Sequence, residues 1–188
     1  MKLSILMNDK IDQNWFEKML EMDRRIFPAE GNDYLEPDYI CSLYKQVKEG
    51  LFFCVDEDVN RLAGYFTVIF LDEKQRDEYL NGSHFSTLLN KGMKKGKNIL
   101  YLYTLAVEED YRGTACMKLM GKAFARWLDT KIQEGYEVSE VYAEAVSEDG
   151  ARSLKNGFGM TPMRGADEKG IGHYVSDDQL KSYIIKML

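Results

Sequence analysis

Cysteine and proline are scarce in this chain of 188 residues, three of each, and histidine is scarcer still at two. Cys41, Cys54 and Cys116 are widely spaced, odd in number and form no CxxC pair, and only His84 and His173 could join them. Neither a disulfide framework nor a zinc site is expected, and the thiols read as reduced. Long apolar runs are missing too. No stretch approaches the roughly eighteen uninterrupted apolar residues of a membrane helix, and the amino terminus lacks a signal peptide's apolar run and cleavage site. A soluble, cytoplasmic protein with no membrane partner is the expectation. Nor is there an excess of positive charge. The formal net charge is −6, whereas a nucleic-acid binder needs a basic face to meet the phosphates. With no internal repeat and no low-complexity tract, residues 1–188 read as a single compact domain with a sizeable core.

What the chain does have is concentrated between Asn98 and Trp127. Ile99 to Val107 is apolar apart from Thr104 and carries β-branched and aromatic residues, the composition of a central strand covered on both faces. Glu108 to Tyr111 ends it. From Cys116 the apolar positions Cys116, Met120, Ala123, Phe124, Trp127 and Leu128 recur with helical spacing, so a helix laid against the sheet follows, with Lys118, Lys122 and Arg126 turned to water. Between strand and helix lie Arg112, Gly113, Thr114 and Ala115. Gly113 can take a positive φ, and the small Ala115 lets a ligand approach the backbone. The unbonded N–H groups of the first helical turn, with the helix dipole, favour a phosphate there, the dipole by roughly 0.3–1 kcal/mol per charge. An ordinary strand-turn-helix connection would share the Arg-Gly pair, so the neighbouring residues decide.

Those neighbours carry a resemblance. Leu105-Ala106-Val107, the polar turn and Tyr111-Arg112-Gly113 resemble the pyrophosphate loop of the GNAT superfamily of acyl-CoA-dependent N-acyltransferases. Ala115 stands where that family usually has glycine, and Met117 where it commonly has glycine or alanine. The resemblance implies an α/β fold with a central mixed sheet flanked by helices, acetyl-CoA as cosubstrate and no metal. It implies transfer of the acetyl group to a primary amine, on a small molecule or a peptide, by direct attack in a ternary complex. Leu105, Ala106 and Val107 would lie along the pantetheine, with the Leu105 N–H as an oxyanion donor, while Arg112, Gly113, Thr114, Ala115, Cys116 and Met117 would hold the pyrophosphate. An acidic protein suits a cationic amine, and a homodimer is compatible with everything above. A non-catalytic acyl-CoA or peptide-binding module on the same fold is the alternative.

The resemblance covers most of the chain and is specific between about Tyr101 and Phe158, and the remaining elements read as follows. Met1 to Met7 can open as a strand. Asn14, with Glu17 three residues on, is placed to cap a helix that Pro28 stops, and a second helix is expected from Pro37 to Gly50. Leu51–Val55 and Leu62–Leu71 read as a hairpin across Asp56 to Arg61, with Gly64-Tyr65 early in its second arm. Residues 72–97 read as an insertion of the length of a substrate flap, with short helical patterns at Asp77–Leu80 and Phe85–Leu89. Its Lys91, Lys94, Lys95 and Lys97 read as a solvated face, the sharper reading being a hold on an anionic coenzyme tail. Val138 to Val146 is a strand, Ser147 to Asp149 caps a helix ending at Asn156, and Gly157-Phe158-Gly159 breaks it. Met160–Arg164 and Gly172–Val175 can pair, and Ser176 with Gln179 can cap a last helix.

The acid–base groups are less plainly marked. By resemblance the short helix after Ser147 should carry a tyrosine that protonates the departing thiolate, but its place holds Ser153 or Leu154. Tyr103, two residues before Leu105 on the same strand face, is the preferred substitute, with Tyr101 and Tyr142 as further candidates. Glu144 lies within a small, apolar strand beside the expected cleft, where burial would tune a general base. Strand alternation aiming it at solvent or at a lysine is the plainer reading. Cys116 reads as packing rather than as a nucleophile, and His84 and His173 as structural or solvated.

Overall fold

The structure, a computed structural model, describes residues 1–27, 48–82, 92–164 and 172–176. The helices expected at Phe85–Leu89 and after Ser176 lie outside the described residues, as do Cys41, His84 and Lys91. So does all of the helix expected from Pro37 to Gly50 except Lys48–Gly50, which form a 3₁₀ turn. Seven strands are described: β1 Leu3–Met7, β2 Leu51–Asp56, β3 Arg61–Leu71, β4 Gly96–Val107, β5 Tyr136–Ala145, β6 Thr161–Arg164 and β7 Gly172–Ser176. With them come the α-helices α1 Gln13–Ile26, α2 Glu73–Leu80, α3 Cys116–Gln133 and α4 Glu148–Arg152. The strands form one sheet in the order β1-β2-β3-β4-β5-β7-β6. β4 and β5 run parallel, joined through α3 as a parallel pair requires, while the β1–β2, β2–β3, β5–β7 and β6–β7 pairs are antiparallel. The sheet is therefore mixed and the class α/β. β6 and β7 pair as expected, but it is β7 that lies beside β5.

The described residues divide into two compact units, 1–27 with 48–67, 92 and 104–123, and 68–82 with 93–103, 124–164 and 172–176. In the first unit α1 begins earlier than Asn14 suggests. Asp12 is the cap, its carboxylate accepting the Trp15 N–H at 3.1 Å, because a short acidic side chain on extended backbone satisfies a first-turn donor better than a residue already inside the helix. Phe16, Met19 and Met22 bury α1 against β2 and β3, with the Phe16 and Phe53 rings edge to face at 6.2 Å. Gly64 is the tight point. A Cβ there would stand 2.7 Å from the Ala106 carbonyl oxygen and 3.0 Å from Cys116 Sγ, so β3 accepts its neighbours only because that side chain is absent.

In the second unit α2 starts at Glu73, four residues before the helical pattern at Asp77, because Asp72 and Gln75 form a capping box. Its one buried residue is Tyr79. The apolar stripe of α3 continues here as Phe124, Trp127 and Leu128, with Phe70 packed on Trp127 at 6.2 Å and Phe158 on Phe124 at 6.2 Å. Ser147 caps α4 through its hydroxyl, and the chain then widens into a π turn at Ser153–Gly157 that buries Leu154.

Candidate functional site

The expected phosphate loop lies wholly in the first unit. Glu109–Tyr111 form a 3₁₀ turn, Gly113 follows with φ of +74°, and α3 begins at Cys116. Thr114 shapes the turn, its hydroxyl donating to the Tyr111 carbonyl at 2.6 Å and accepting the Cys116 N–H at 3.3 Å. The Ala115 carbonyl takes the first helical bond, from Leu119 at 2.9 Å. That accounting leaves the N–H groups of Gly113, Ala115, Met117 and Lys118 with no acceptor among the described residues. Arg112, Gly113 and Ala115 are exposed, and a Cβ added to Gly113 would meet nothing within 4 Å. Unmet amides around a left-handed glycine at a helix start have the chemistry of an anion nest.

The turn is pinned through Tyr111 of the motif and through Asp56, Arg61 and Arg25, which the sequence did not single out. The Tyr111 hydroxyl donates to Asp56 at 3.0 Å, and both side chains are buried. Burial and that carboxylate hold the Tyr111 hydroxyl above the usual phenol range, so it remains a donor. Arg61 bridges to Asp110 at 2.9 Å, and the buried Glu108 carboxylate is met by Arg25 and, at 3.8 Å, by Arg61. Asp56 closes an apolar strand in a position where a solvated turn residue is ordinary, so no signal in the sequence marks it. Cys116 is fully buried against Cys54. The hydrogen bond to Cys54 and burial hold the Cys116 thiol well above its ordinary range, the reverse of an activated nucleophile.

The last turns of β4 have an open edge. The Glu108 N–H bonds the Ala63 carbonyl at 3.0 Å, and strand alternation then sends the Ala106 groups toward β3 and the Leu105 and Val107 groups away from it. On that other side the pairing of β4 with β5 stops at Leu102 opposite Ala143. The Leu105 and Val107 amides and carbonyls thus have no register partner among the described residues.

Glu144 sits in the second unit, its side chain half-buried. Its Oε1 is 3.3 Å from Nδ1 of His173, its direct partner across β5 and β7, and it accepts a hydrogen bond from Tyr101. Burial, then the Glu144 charge, push the Tyr101 hydroxyl well up. Tyr142 gives its hydroxyl to Glu140, and burial first, then that carboxylate, push it up as well. Both tyrosines are thus committed donors. Tyr103 is half-buried, its ring 6.2 Å from that of Tyr101. Tyr79 packs on Tyr101, Tyr142 and His173 at 5.5, 5.2 and 5.5 Å and donates its hydroxyl to the Ala143 carbonyl at 2.9 Å. Sequence reading missed Tyr79 and His173 in this cluster because each comes from a segment distant in sequence. Among the lysines near Asn98, Lys95 sits 4.2 Å over the Tyr136 ring and donates to the Glu134 carbonyl.

No family model matches the sequence, and no curated protein matches it. Solved structures do match in three dimensions. The NatC complex bound to Gag peptide and CoA superposes with a TM-score of 0.60 at 16% identity, over 93% of this chain and 96% of that one. Arabidopsis thaliana NAA60 in complex with acetyl-CoA gives 0.59 at 16% identity, over 93% and 97%. Mosquito arylalkylamine N-acetyltransferase like 5b gives 0.59 at 14%, over 93% and 99%. At such identities the likeness is one of fold.

Proposed function

We propose that this chain, whose fold is that of the GNAT acetyltransferases, is an acyl-CoA-dependent N-acyltransferase that carries an acetyl group from acetyl-CoA to a primary amine. The observation that carries this reading is the set of unmet amides at Gly113, Ala115, Met117 and Lys118 around a glycine at φ +74°. These groups fit a pyrophosphate in charge and in space, since nothing crowds Gly113. The unpaired edge at Leu105 and Val107 fits an extended amide chain, which would bind as an added strand. The Leu105 N–H is then the donor for an oxyanion.

In the proposed reaction the amine nitrogen attacks the thioester carbonyl carbon, Glu144 takes the proton the nitrogen loses, the carbon–sulfur bond breaks and Tyr103 protonates the departing thiolate. Position supplies much of the rate, and each placed acid or base contributes about 10²–10⁴-fold. No covalent enzyme intermediate is needed, in keeping with a Cys116 thiol that stays protonated.

The test is calorimetry and melting with acetyl-CoA, then thiol release against an arylalkylamine, a peptide with a free α-amine and a peptide with an internal lysine. A dissociation constant in the micromolar range is expected, on the order of −8 kcal/mol, and ligand at about a hundred times that constant should stabilise the fold by roughly 2.7 kcal/mol. An unchanged melting temperature at millimolar acetyl-CoA, with no heat of binding, sinks the reading. One observation favours a second reading, a coenzyme-binding module without turnover: the chain has Ser153 and the buried Leu154 where the family's helix tyrosine belongs. Binding without thiol release from any amine would select it.

A further inference from the structure

Glu144 and His173 are opposed in the antiparallel register of β5 and β7, so their side chains leave the same face of the sheet. Exposure separates their roles. The Glu144 side chain is 27% exposed and that of His173 7%, so the carboxylate is the more accessible of the two and the imidazole the more enclosed. Tyr79 closes the imidazole off, with its ring 5.5 Å from the histidine ring and its hydroxyl tied to the carbonyl of Ala143, the residue before Glu144. Tyr79 is fixed in turn by α2, the capped helix of the segment between β3 and β4. Glu144 therefore has polar groups on two sides, Nδ1 of His173 at 3.3 Å and the buried Tyr101 hydroxyl, which donates to it.

We propose that His173 is a positioning residue for acyl transfer: braced by Tyr79, its Nδ1–H holds the Glu144 carboxylate in the rotamer that accepts the proton from the amine. The proposal rests on Glu144 being the base in the reaction above. A carboxylate with two fixed donors behind it keeps its remaining lone pairs aimed outward, whereas a free glutamate on a strand loses that orientation to rotamer freedom. The side chain invoked touches no substrate. Its contribution is geometric and belongs to the rate of the chemical step, leaving coenzyme binding alone.

The experiment uses the full chain, acetyl-CoA and whichever amine of the panel above releases thiol fastest. Glu144→Gln, His173→Leu and His173→Asn are compared by kcat, by KM for acetyl-CoA and by melting temperature. Asparagine carries an N–H at the position of Nδ1 and leucine does not. The expected result is a loss in kcat of about tenfold or more for His173→Leu, equal to roughly 1.4 kcal/mol or more of transition-state stabilisation. KM for acetyl-CoA should stay unchanged, and His173→Asn should restore most of kcat. If His173→Leu fails to fold, His173→Gln, whose N–H is carried one bond further out, replaces it with the same expected loss. Full turnover in Glu144→Gln overturns the base and the proposal together. An inactive Glu144→Gln beside an active His173→Leu, or equal losses in the asparagine and the leucine variants, overturns the positioning role alone.

Discussion

The two compact units differ in what they offer a ligand. In residues 104–123 the offer is backbone: the amides about Gly113 and the open edge at Leu105 and Val107, with side chains such as Tyr111, Asp56 and Glu108 serving only to hold the main chain still. In the second unit the offer is side chains: Glu144, held by His173 and Tyr101, with Tyr103 nearby on β4. A backbone site tolerates substitution wherever the main-chain path survives, so under the proposed reading Ala115 and Met117 can stand where the family has smaller residues. A side-chain site depends on particular functional groups, so under the proposed reaction the place of the missing tyrosine falls to another donor.

That contrast can be broken by experiment. Gly113→Val attacks the first unit. Its left-handed backbone strains any L side chain by roughly 1–2 kcal/mol, and a branched side chain would stand where the pyrophosphate is proposed to lie. In molecules that remain folded, acetyl-CoA affinity should fall about 100-fold or more, near 2.7 kcal/mol, as read by calorimetry. Normal affinity in a folded variant would refute the nest. Tyr103→Phe attacks the second unit and should do the opposite, lowering kcat by about 10²-fold with coenzyme affinity nearly intact. Equal effects of these two variants on binding and on turnover would erase the division of labour.

Gly64→Ala sharpens the comparison with a smaller effect. The added Cβ meets a backbone oxygen at 2.7 Å and Cys116 Sγ at 3.0 Å, an overpacking that costs about 1–3 kcal/mol. Because the oxygen belongs to Ala106 and the sulfur to the first residue of α3, the strain should appear in KM for acetyl-CoA more than in kcat. Thermal unfolding would give the stability term, at roughly 2–4 °C per kcal/mol for a chain of this size. A melting temperature equal to that of the wild type would show that β3 yields freely at this point.

How far the sequence could be read follows the same line. Strand β4, the left-handed Gly113 and the start of α3 at Cys116 were legible because each is set by neighbours in sequence: an apolar run, a glycine and a 3.6-residue stripe. Local competition caused the small errors. Asp12 outcompeted Asn14 as the cap of α1, and the Asp72 capping box started α2 before its apolar pattern begins. Longer-range partners were not legible at all. His173 reads as an isolated histidine until β7 inserts between β5 and β6, and Tyr79 as part of a polar insertion until its hydroxyl reaches Ala143.

The sequence by itself marked the strands and helices about the loop and the backbone character of the segment between Val107 and Cys116, because periodicity, capping and glycine act over a few residues. The mixed α/β class was implied by the family resemblance. Only the tertiary structure decided that Asp56 would hold Tyr111 and that Cys116 would face Cys54. It alone set Glu144 in front of His173 with Tyr101 beside it. Those pairings depend on sheet order and register, in which shifting a strand by one residue exchanges its faces, and no local pattern in the chain records which strand will be the neighbour.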